Sequence, residues 1–294
     1  MLSISQTSRG FFCIEWISTE KGPKIINSEY LNFNLSFKDE DDLSNLLESF
    51  KSKSKSKSLS IVLNSDQLLI SKIEVLKSEI KNKEIIDWHE NNVLGNQFCK
   101  DHLNYYFPIF SDESYHYMSI YLSKKVKNNI LKSSKNLGYD LRYLSVDIFS
   151  AAIGAKQIYF NQIKNEYIIW KICKGNKHKI VLYDLNKIKA YAELHKKNNK
   201  YEQRLFIGNK IYEELLVNCV NEILINKSNF HRFSNIYVYQ TKQARNDLDR
   251  IIDMNFKNIK ILSFNKLFDI YDDLDLLKYM PFVENGITFK GLDV

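Results

Sequence analysis

Gly-rich phosphate loops, paired cysteines and long apolar runs are all missing from this sequence, and each absence closes off a class of function. The only glycine-bearing turns are short hairpin turns, and neither GxxxxGK[ST] nor GxSxG occurs, so neither a P-loop nor a hydrolase nucleophile elbow is encoded. The four cysteines, Cys13, Cys99, Cys173 and Cys219, lie far apart with no CxxC pair. Such spacing suggests neither a disulfide framework nor a zinc knuckle, and it fits a reducing cytoplasm. No apolar run approaches the roughly 18 residues that a membrane-spanning helix needs. The start, "MLSISQTSRGFF", lacks a charged n-region followed by an apolar h-region. The expectation is a chain neither secreted nor membrane-spanning on its own. His89 and His102 stand thirteen residues apart, unlike the two histidines of HExxH on adjacent helical turns. "DWHE", Asp87 to Glu90, therefore reads as polar residues on a helix surface rather than an acid/base cluster.

What is present is enough for two domains or one bilobal unit: 294 residues, 44% of them hydrophobic. A net charge of +7 and a pI near 8.9 raise the question of nucleic acid or an anionic membrane surface. The crowding of Lys, Asn and Ile, which AT-rich codons encode, accounts for much of that excess, so no nucleic acid is expected. "KSKSKSKS", Lys51 to Ser58, cannot bury anything and repels itself. It reads as a solvated loop inside a domain, between the helical "DEDDLSNLLESF" and the strand "LSIVLN", with phosphate or anionic-lipid binding as its alternative role.

The pattern along the chain is mixed. Strand-like "QLLISKIEVL" precedes a helical "SEIKNKEIIDWHENNVLGNQF", and in "YHYMSIYLSK" Met118, Ile120 and Leu122 share one sheet face. "KKVKNNILKSSKNLG" aligns Val126, Ile130, Ser134 and Leu137 on a helical stripe that ends at Gly138, a C-cap. "YDLRYLSVD" is a strand, and Asp147 caps the helix "IFSAAIGAKQIYF". The second half begins like the first. "EYIIWKICKGNKHKIVLYDLNKIKAYAEL", Glu166 to Leu194, holds three strands joined by KGN and NK turns, and "GFFCIEWISTEKGPKII", Gly10 to Ile26, has the same hairpin plan. This predicts a structural duplication, each half opening with an antiparallel hairpin. The helix "GNKIYEELLVNCVNEILIN" follows, with Ile211, Leu215, Cys219 and Ile223 on its core face. "NIYVYQ", "QARNDLDRIID" and "IKILSF" add strand, helix and strand. Aromatics such as Tyr105, Tyr106, Phe107, Tyr115, Tyr117, Tyr237 and Tyr239 suit strands by propensity alone. The run before Pro108 is the candidate among them for partner binding.

This α/β order resembles the actin-like ATPase fold, and within it the PilM family of type IV pilus assembly. The resemblance rests on "LKSSKNLGYDLRYLSVDIFSAAIGA", where Leu137, Gly138, Val146, Asp147 and Ala151 match, and on the ending "GITFKGLDV", with Gly286, Gly291 and Leu292. It implies a first lobe at 1–148, with a subdomain inserted at about 66–146. A second lobe at 149–294 follows, its C-terminal segment packing back on the first. The family carries Asp-Ile-Gly followed by Ser or Thr in the first hairpin, glycine letting backbone amides reach phosphates and the acid organising a metal. Taking that hairpin as Gly10 to Ile26 makes Glu15, Ser18, Thr19 and Lys24 the remnant nucleotide site, with Ile17 in the place of glycine. In the second hairpin Lys171, followed by Ile172 and Cys173, replaces the acid, and a lysine cannot bind Mg²⁺. Tyr239, Gln240 and Thr241 stand where paired glycines are expected.

The resemblance thus implies a cytoplasmic scaffold with weak ATP binding or none, no catalytic or metal-binding residue, and turnover lost, as in a pseudo-ATPase. It implies a partner too: the cytoplasmic tail of a PilN-like single-pass protein, within a pilus or secretion assembly platform. The chain ends at Val294 without a spanning helix, so it is expected at the periphery of the inner membrane through that partner. The alternatives are an active actin-fold ATPase or kinase and a nucleic-acid-binding protein.

Overall fold

The computed structural model describes residues 1–6, 10–19, 22–31, 37, 40–51, 56–76, 83–110, 114–159, 162–163, 166–185, 187–240 and 245–262. In chain order the elements begin β1 (Leu2–Gln6), β2 (Phe11–Thr19), β3 (Gly22–Leu31), α1 (Glu40–Lys51) and β4 (Ser58–Leu63). Next come β5 (Leu69–Leu76), α2 (Lys83–Leu94), α3 (Asn96–Asp101), β6 (His102–Phe110) and β7 (Ser114–Ser123). The middle of the chain forms α4 (Lys124–Asn136), β8 (Asp140–Val146) and α5 (Asp147–Ile158). The rest is β9 (Glu166–Cys173), β10 (Lys177–Asp184), β11 (Lys187–Lys197), β12 (Lys200–Gly208), α6 (Lys210–Leu224), β13 (Ile236–Gln240), α7 (Arg245–Met254) and β14 (Ile259–Ile261). These elements fall into two compact units, the first from Met1–Leu68 and Leu122–Ile158, the second from Leu69–Tyr121 and Tyr159–Leu262.

The sheet of the first unit has the order β3-β2-β1-β4-β8, with β1, β4 and β8 parallel. Leu2 and Ile4 lie level with Leu59 and Ile61, and all four are fully buried. The alternate positions carry Ser3, Ser5, Ser60 and Ser145, also buried. That small polar face lets α5 approach closely, and Ser150 Oγ meets Ser145 Oγ at 3.0 Å. In α1, Leu43, Leu46, Leu47 and Phe50 are buried, the helical i, i+3, i+4, i+7 pattern. Three acids in its first turn, Glu40, Asp41 and Asp42, suit the positive end of the helix dipole. Helix α4 ends as expected at Gly138, whose φ of 79° permits two closing bonds: Gly138 N to Lys135 O at 3.1 Å and Tyr139 N to Ser134 O at 2.9 Å.

The main sheet of the second unit runs β12-β11-β10-β9-β13-β14. Ile168, Trp170 and Ile172 of β9 pack in one core with Leu216, Cys219, Val220 and Ile223 of α6. The expected stripe of α6 is present in Cys219 and Ile223, with Leu215 packed against the same core, and Leu216 and Val220 widen it. Ile211 is 66% exposed because Asn209 caps the helix, its side chain accepting from Ile211 N at 3.1 Å. β12 is a strand that the alternation in "KYEQRLFIG" did not announce.

The inserted segment forms its own sheet, β5-β7-β6, in which Met118, Ile120 and Leu122 are buried as expected. Its extent differs from the expectation. Leu69–Tyr121 groups with the second sheet, whereas α4 and β8 complete the first. One contact that ties it there runs from Gly208 N to His116 Nδ1 at 3.3 Å. Glu90 corrects a second reading. It is buried, 6% exposed, and accepts hydrogen bonds from the hydroxyls of Tyr106, at 2.7 Å, and Tyr121. The expected packing of the C-terminal segment, with Gly286, Gly291 and Leu292, lies outside the described residues, as do residues 52–55 of "KSKSKSKS".

The duplication is present. Removing β12 leaves β11-β10-β9-β13-β14, the same order as β3-β2-β1-β4-β8 and with the same senses: antiparallel, antiparallel, parallel, parallel. The register irregularity between β2 and β3 also recurs between β10 and β11. This correspondence makes β1 the counterpart of β9. The opening hairpin of the first unit is thus β1–β2, one strand earlier than Gly10 to Ile26.

Candidate functional site

In open α/β sheets ligands gather beyond the carboxyl ends of parallel strands, so those ends define the candidate site in each unit. In the first unit β1, β4 and β8 finish at Gln6, Leu63 and Val146. Gln6 Nε2 donates to Gln67 Oε1 at 2.6 Å and its Oε1 accepts from Asn64 N at 3.2 Å. Asn64 caps the 3₁₀ turn Ser65–Gln67, its Oδ1 accepting from Asp66 N at 2.9 Å. Asp147, 4% exposed, opens α5 and accepts through Oδ1 from Ile148 N at 2.7 Å and Ser65 N at 3.2 Å. Among the described residues the edge therefore consists of amides and hydroxyls with two carboxylates, the exposed Asp66 of the 3₁₀ turn and the buried Asp147, whose Oδ1 is engaged by backbone amides.

The corresponding edge of the second unit is cationic. Lys171, near the end of β9, is 1% exposed and lies between Lys179 of β10 and Tyr239 of β13. Lys179 Nζ stands 3.5 Å from Glu193 Oε1, which also accepts from the Tyr191 hydroxyl at 2.7 Å. Two ammonium groups on neighbouring strands favour an anion over a divalent cation. Beyond them, the exposed turn Lys174-Gly175-Asn176 joins β9 to β10.

The residues singled out in the sequence occupy different places. Glu15 lies opposite Leu2, at the start of β1, while the carboxyl ends of β1 and β4 lie at the other end of the sheet. It is 3% exposed, and its Oε1 accepts from Ser56 N at 2.9 Å. Its carboxylate thereby holds the entry to β4. Ser18, Thr19 and Lys24 sit at the β2–β3 end, where Ile17 pairs with Lys24, Ser18 with Pro23 and Thr19 with Gly22. The side chains of Ser18, Thr19 and Lys24 lie outside the described residues. Glu15 and Lys171 are not counterparts. The closing pairs Gln6–Phe11 and Cys173–Lys177 match Lys171 with Ile4 and Glu15 with Val181. The residues passed over are Gln6, Asn64 and Ser65. Their only signal in the sequence was position, each at the end of a short apolar strand. Among the described residues, no group of three His, Cys, Asp or Glu could hold a metal ion.

No family model and no curated protein sequence matches this chain. Among solved structures it is similar to one of a PilM–PilN type IV pilus biogenesis complex, with a TM-score of 0.60 and 12% identity, covering 96% of this chain and 94% of that one. It also matches the cytoplasmic domain of EpsL, an inner-membrane component of the type II secretion system of Vibrio cholerae, with a TM-score of 0.45 and 10% identity over 81% of each chain. A third match is a Bacteroides thetaiotaomicron protein of unknown function with an actin-like ATPase fold, with a TM-score of 0.45 and 10% identity over 92% of each chain. What the first likeness establishes is the fold, which is PilM-like and actin-like.

Proposed function

We propose that this chain is a PilM-like scaffold in a type IV pilus or related secretion machine, and that it binds the cytoplasmic tail of an inner-membrane partner without turning over ATP. The observation that carries the reading is the fold match over nearly the whole of both chains to a structure of a PilM–PilN complex. The strand ends support the second half of it. With β1–β2 as the opening hairpin, the stretch that answers to Asp-Ile-Gly followed by Ser or Thr is Ser5-Gln6-Thr7-Ser8. A serine hydroxyl cannot supply the anionic ligand that Mg²⁺ requires. In the second unit the residue that answers to Ser5 is the apolar Ile172, next to the buried Lys171. Phosphoryl transfer depends on positioning and on metal electrostatics, so these exchanges remove its basis.

No helix among the described residues is long and apolar enough to cross a membrane. In this reading the partner provides the attachment. An extended tail adding to a strand edge would draw affinity from backbone pairing and register from side-chain pockets. One observation favours a second reading, an active ATPase: Asp147 is a carboxylate at the correct end of β8.

Two measurements on the purified chain test the proposal. Calorimetry with MgATP is expected to give no saturable heat. Affinity purification from detergent-solubilised membranes of the source organism is expected to retain a single-pass inner-membrane protein in about 0.5 M salt, where surface charge attraction is screened. Sub-micromolar MgATP binding, with turnover that Asp147→Ala abolishes, would establish the second reading instead. Loss of every membrane partner at high salt would refute tail capture.

A further inference from the structure

We propose that the paired turns at the end of the second unit's main sheet form a binding site for a phosphate-rich anion, and that this site works without a metal ion. The stretches Lys174-Gly175-Asn176-Lys177 and His195-Lys196-Lys197-Asn198-Asn199-Lys200 hold five lysines and no acid. Across the chain, Lys and Arg together number only 42 of 294 residues, so the charge is concentrated here well beyond the general lysine excess.

The fold brings the two stretches together. Lys177 pairs with His195 across β10 and β11, and Lys197 pairs with Lys200 across β11 and β12. Lys196 N then donates to Asn176 O at 3.1 Å, which locks one turn against the other. Each turn contains two consecutive left-handed residues, Gly175 and Asn176 at φ 77° and 55°, Asn198 and Asn199 at 47° and 62°. Such turns are tight and fix the spacing of what flanks them. Lys174, Lys177, Lys197 and Lys200 are exposed and Lys196 is half-buried. Among the described residues, the acid that pairs with them is Glu202, 3.5 Å from Lys197.

The class of ligand follows from what the site displays. It offers ammonium groups, amides and hairpin backbone, while the aromatics beneath it, Trp170 and Tyr201, are 0% and 2% exposed. The ring that the turns themselves carry, His195, is only part-exposed and is paired with Lys177 in the ladder, so recognition is chiefly of phosphate charge. The site also stands where β9 ends and β10 begins, the end of a parallel pair where anions collect. Lysines here replace the divalent cation of a metal-dependent phosphate site. Magnesium, which neutralises the anion first, must therefore weaken binding, the reverse of its effect in an ATPase.

The inference goes beyond the scaffold reading and does not need it. The test is titration of inorganic tripolyphosphate by calorimetry, at low salt with EDTA present. A parallel arm measures co-sedimentation with phosphatidylcholine vesicles containing about one-third phosphatidylglycerol, which distinguishes membrane-borne from free phosphate. The variant carries Lys→Gln at 174, 177, 196, 197 and 200. A control carries Lys→Gln at 124, 125 and 127 of α4. The expected result is anion binding that weakens on the order of tenfold or more in the turn variant, falls with salt, falls again with excess Mg²⁺, and is unchanged in the control. Arginine at the same five positions retains it. Binding in neither arm, equal loss in turn variant and control, or a requirement for magnesium would overturn the proposal.

Discussion

Protonation of one buried imidazole is predicted to weaken the second unit from within. His178 of β10 is fully buried and lies edge-on to Trp170 and Tyr201. Its Nδ1 accepts from Trp170 Nε1 at 3.1 Å, and among the described residues Nε2 has no hydrogen-bond partner. Burial pushes its pKa down from 6.5 to about 3, because an imidazolium here would lose its hydration and set a second N–H against that of Trp170. The unfolded chain binds this proton more readily than the folded one. The contribution is therefore present above pH 6.5 and is lost progressively as pH falls toward 3. Between about pH 7.5 and pH 5 the loss amounts to about 2 kcal/mol. The assay is urea unfolding followed by Trp170 fluorescence in a protein carrying Trp16→Phe and Trp88→Phe. His178→Gln keeps an acceptor for the indole but cannot titrate. It should cost some packing at every pH and flatten the profile by about 2 kcal/mol over that interval. Parallel profiles with and without the His178→Gln substitution, offset but equal in slope, would refute the assignment of a neutral buried histidine.

Three further outcomes follow from particular contacts. Glu15→Ala strips Ser56 N of its acceptor, so it should lower the stability of the first unit by about 1–3 kcal/mol in urea unfolding while leaving the calorimetric response to MgATP unchanged. Burial raises the Glu90 carboxyl above the usual range; its contribution is full at acid pH and declines as pH rises through the folded value, so amide exchange in β5 and β7 should slow as pH falls from neutral, after correction for intrinsic rates, and Glu90→Gln should remove that trend. Gly208→Ala would place a Cβ 2.8 Å from Lys189 O at a φ of 144°; a strain of about 1–3 kcal/mol should lower the thermal midpoint and hasten proteolysis within 69–121.

The element types were legible because local chemistry is strong where they change. Gly138 marks a helix end, and the KGN turn marks a hairpin that is present. Equivalence between strands was harder to read. β1 spans five residues, and two of them, Ser3 and Ser5, are buried serines, so "LSISQ" carries little apolar signal beside the longer β2–β3 ribbon. That ribbon was consequently taken as the opening hairpin, and Glu15 with it. Glu90 was misread for a different reason. Its partners Tyr106 and Tyr121 lie sixteen and thirty-one residues further along, and no periodicity within α2 announces hydroxyls arriving from β6 and β7. The edge residues Gln6, Asn64 and Ser65 acquire meaning only when β1 and β4 are known to be parallel neighbours. That is a property of the sheet and not of any window in the sequence.

Two sheets of one topology hold their matching ends in different chemical states, amide and hydroxyl in the first, ammonium in the second. A metal-dependent phosphoryl transfer needs carboxylates near those ends, with the charges of metal and phosphate balanced between them. Glu15 is a carboxylate at the wrong end, Asp66 is exposed on the turn after β4, and Asp147 commits one oxygen to two backbone amides. Lys171 sits within the buried β9 with Lys179 as its neighbour. Burying lysine there costs desolvation unless compensating charge or hydrogen bonds are arranged around it, and the Lys179–Glu193–Tyr191 contacts supply such an arrangement close by. Apolar side chains are the simpler filling for a strand core. The two lysines paired on neighbouring strands instead give this edge a positive character, which suits an anion better than a metal ion.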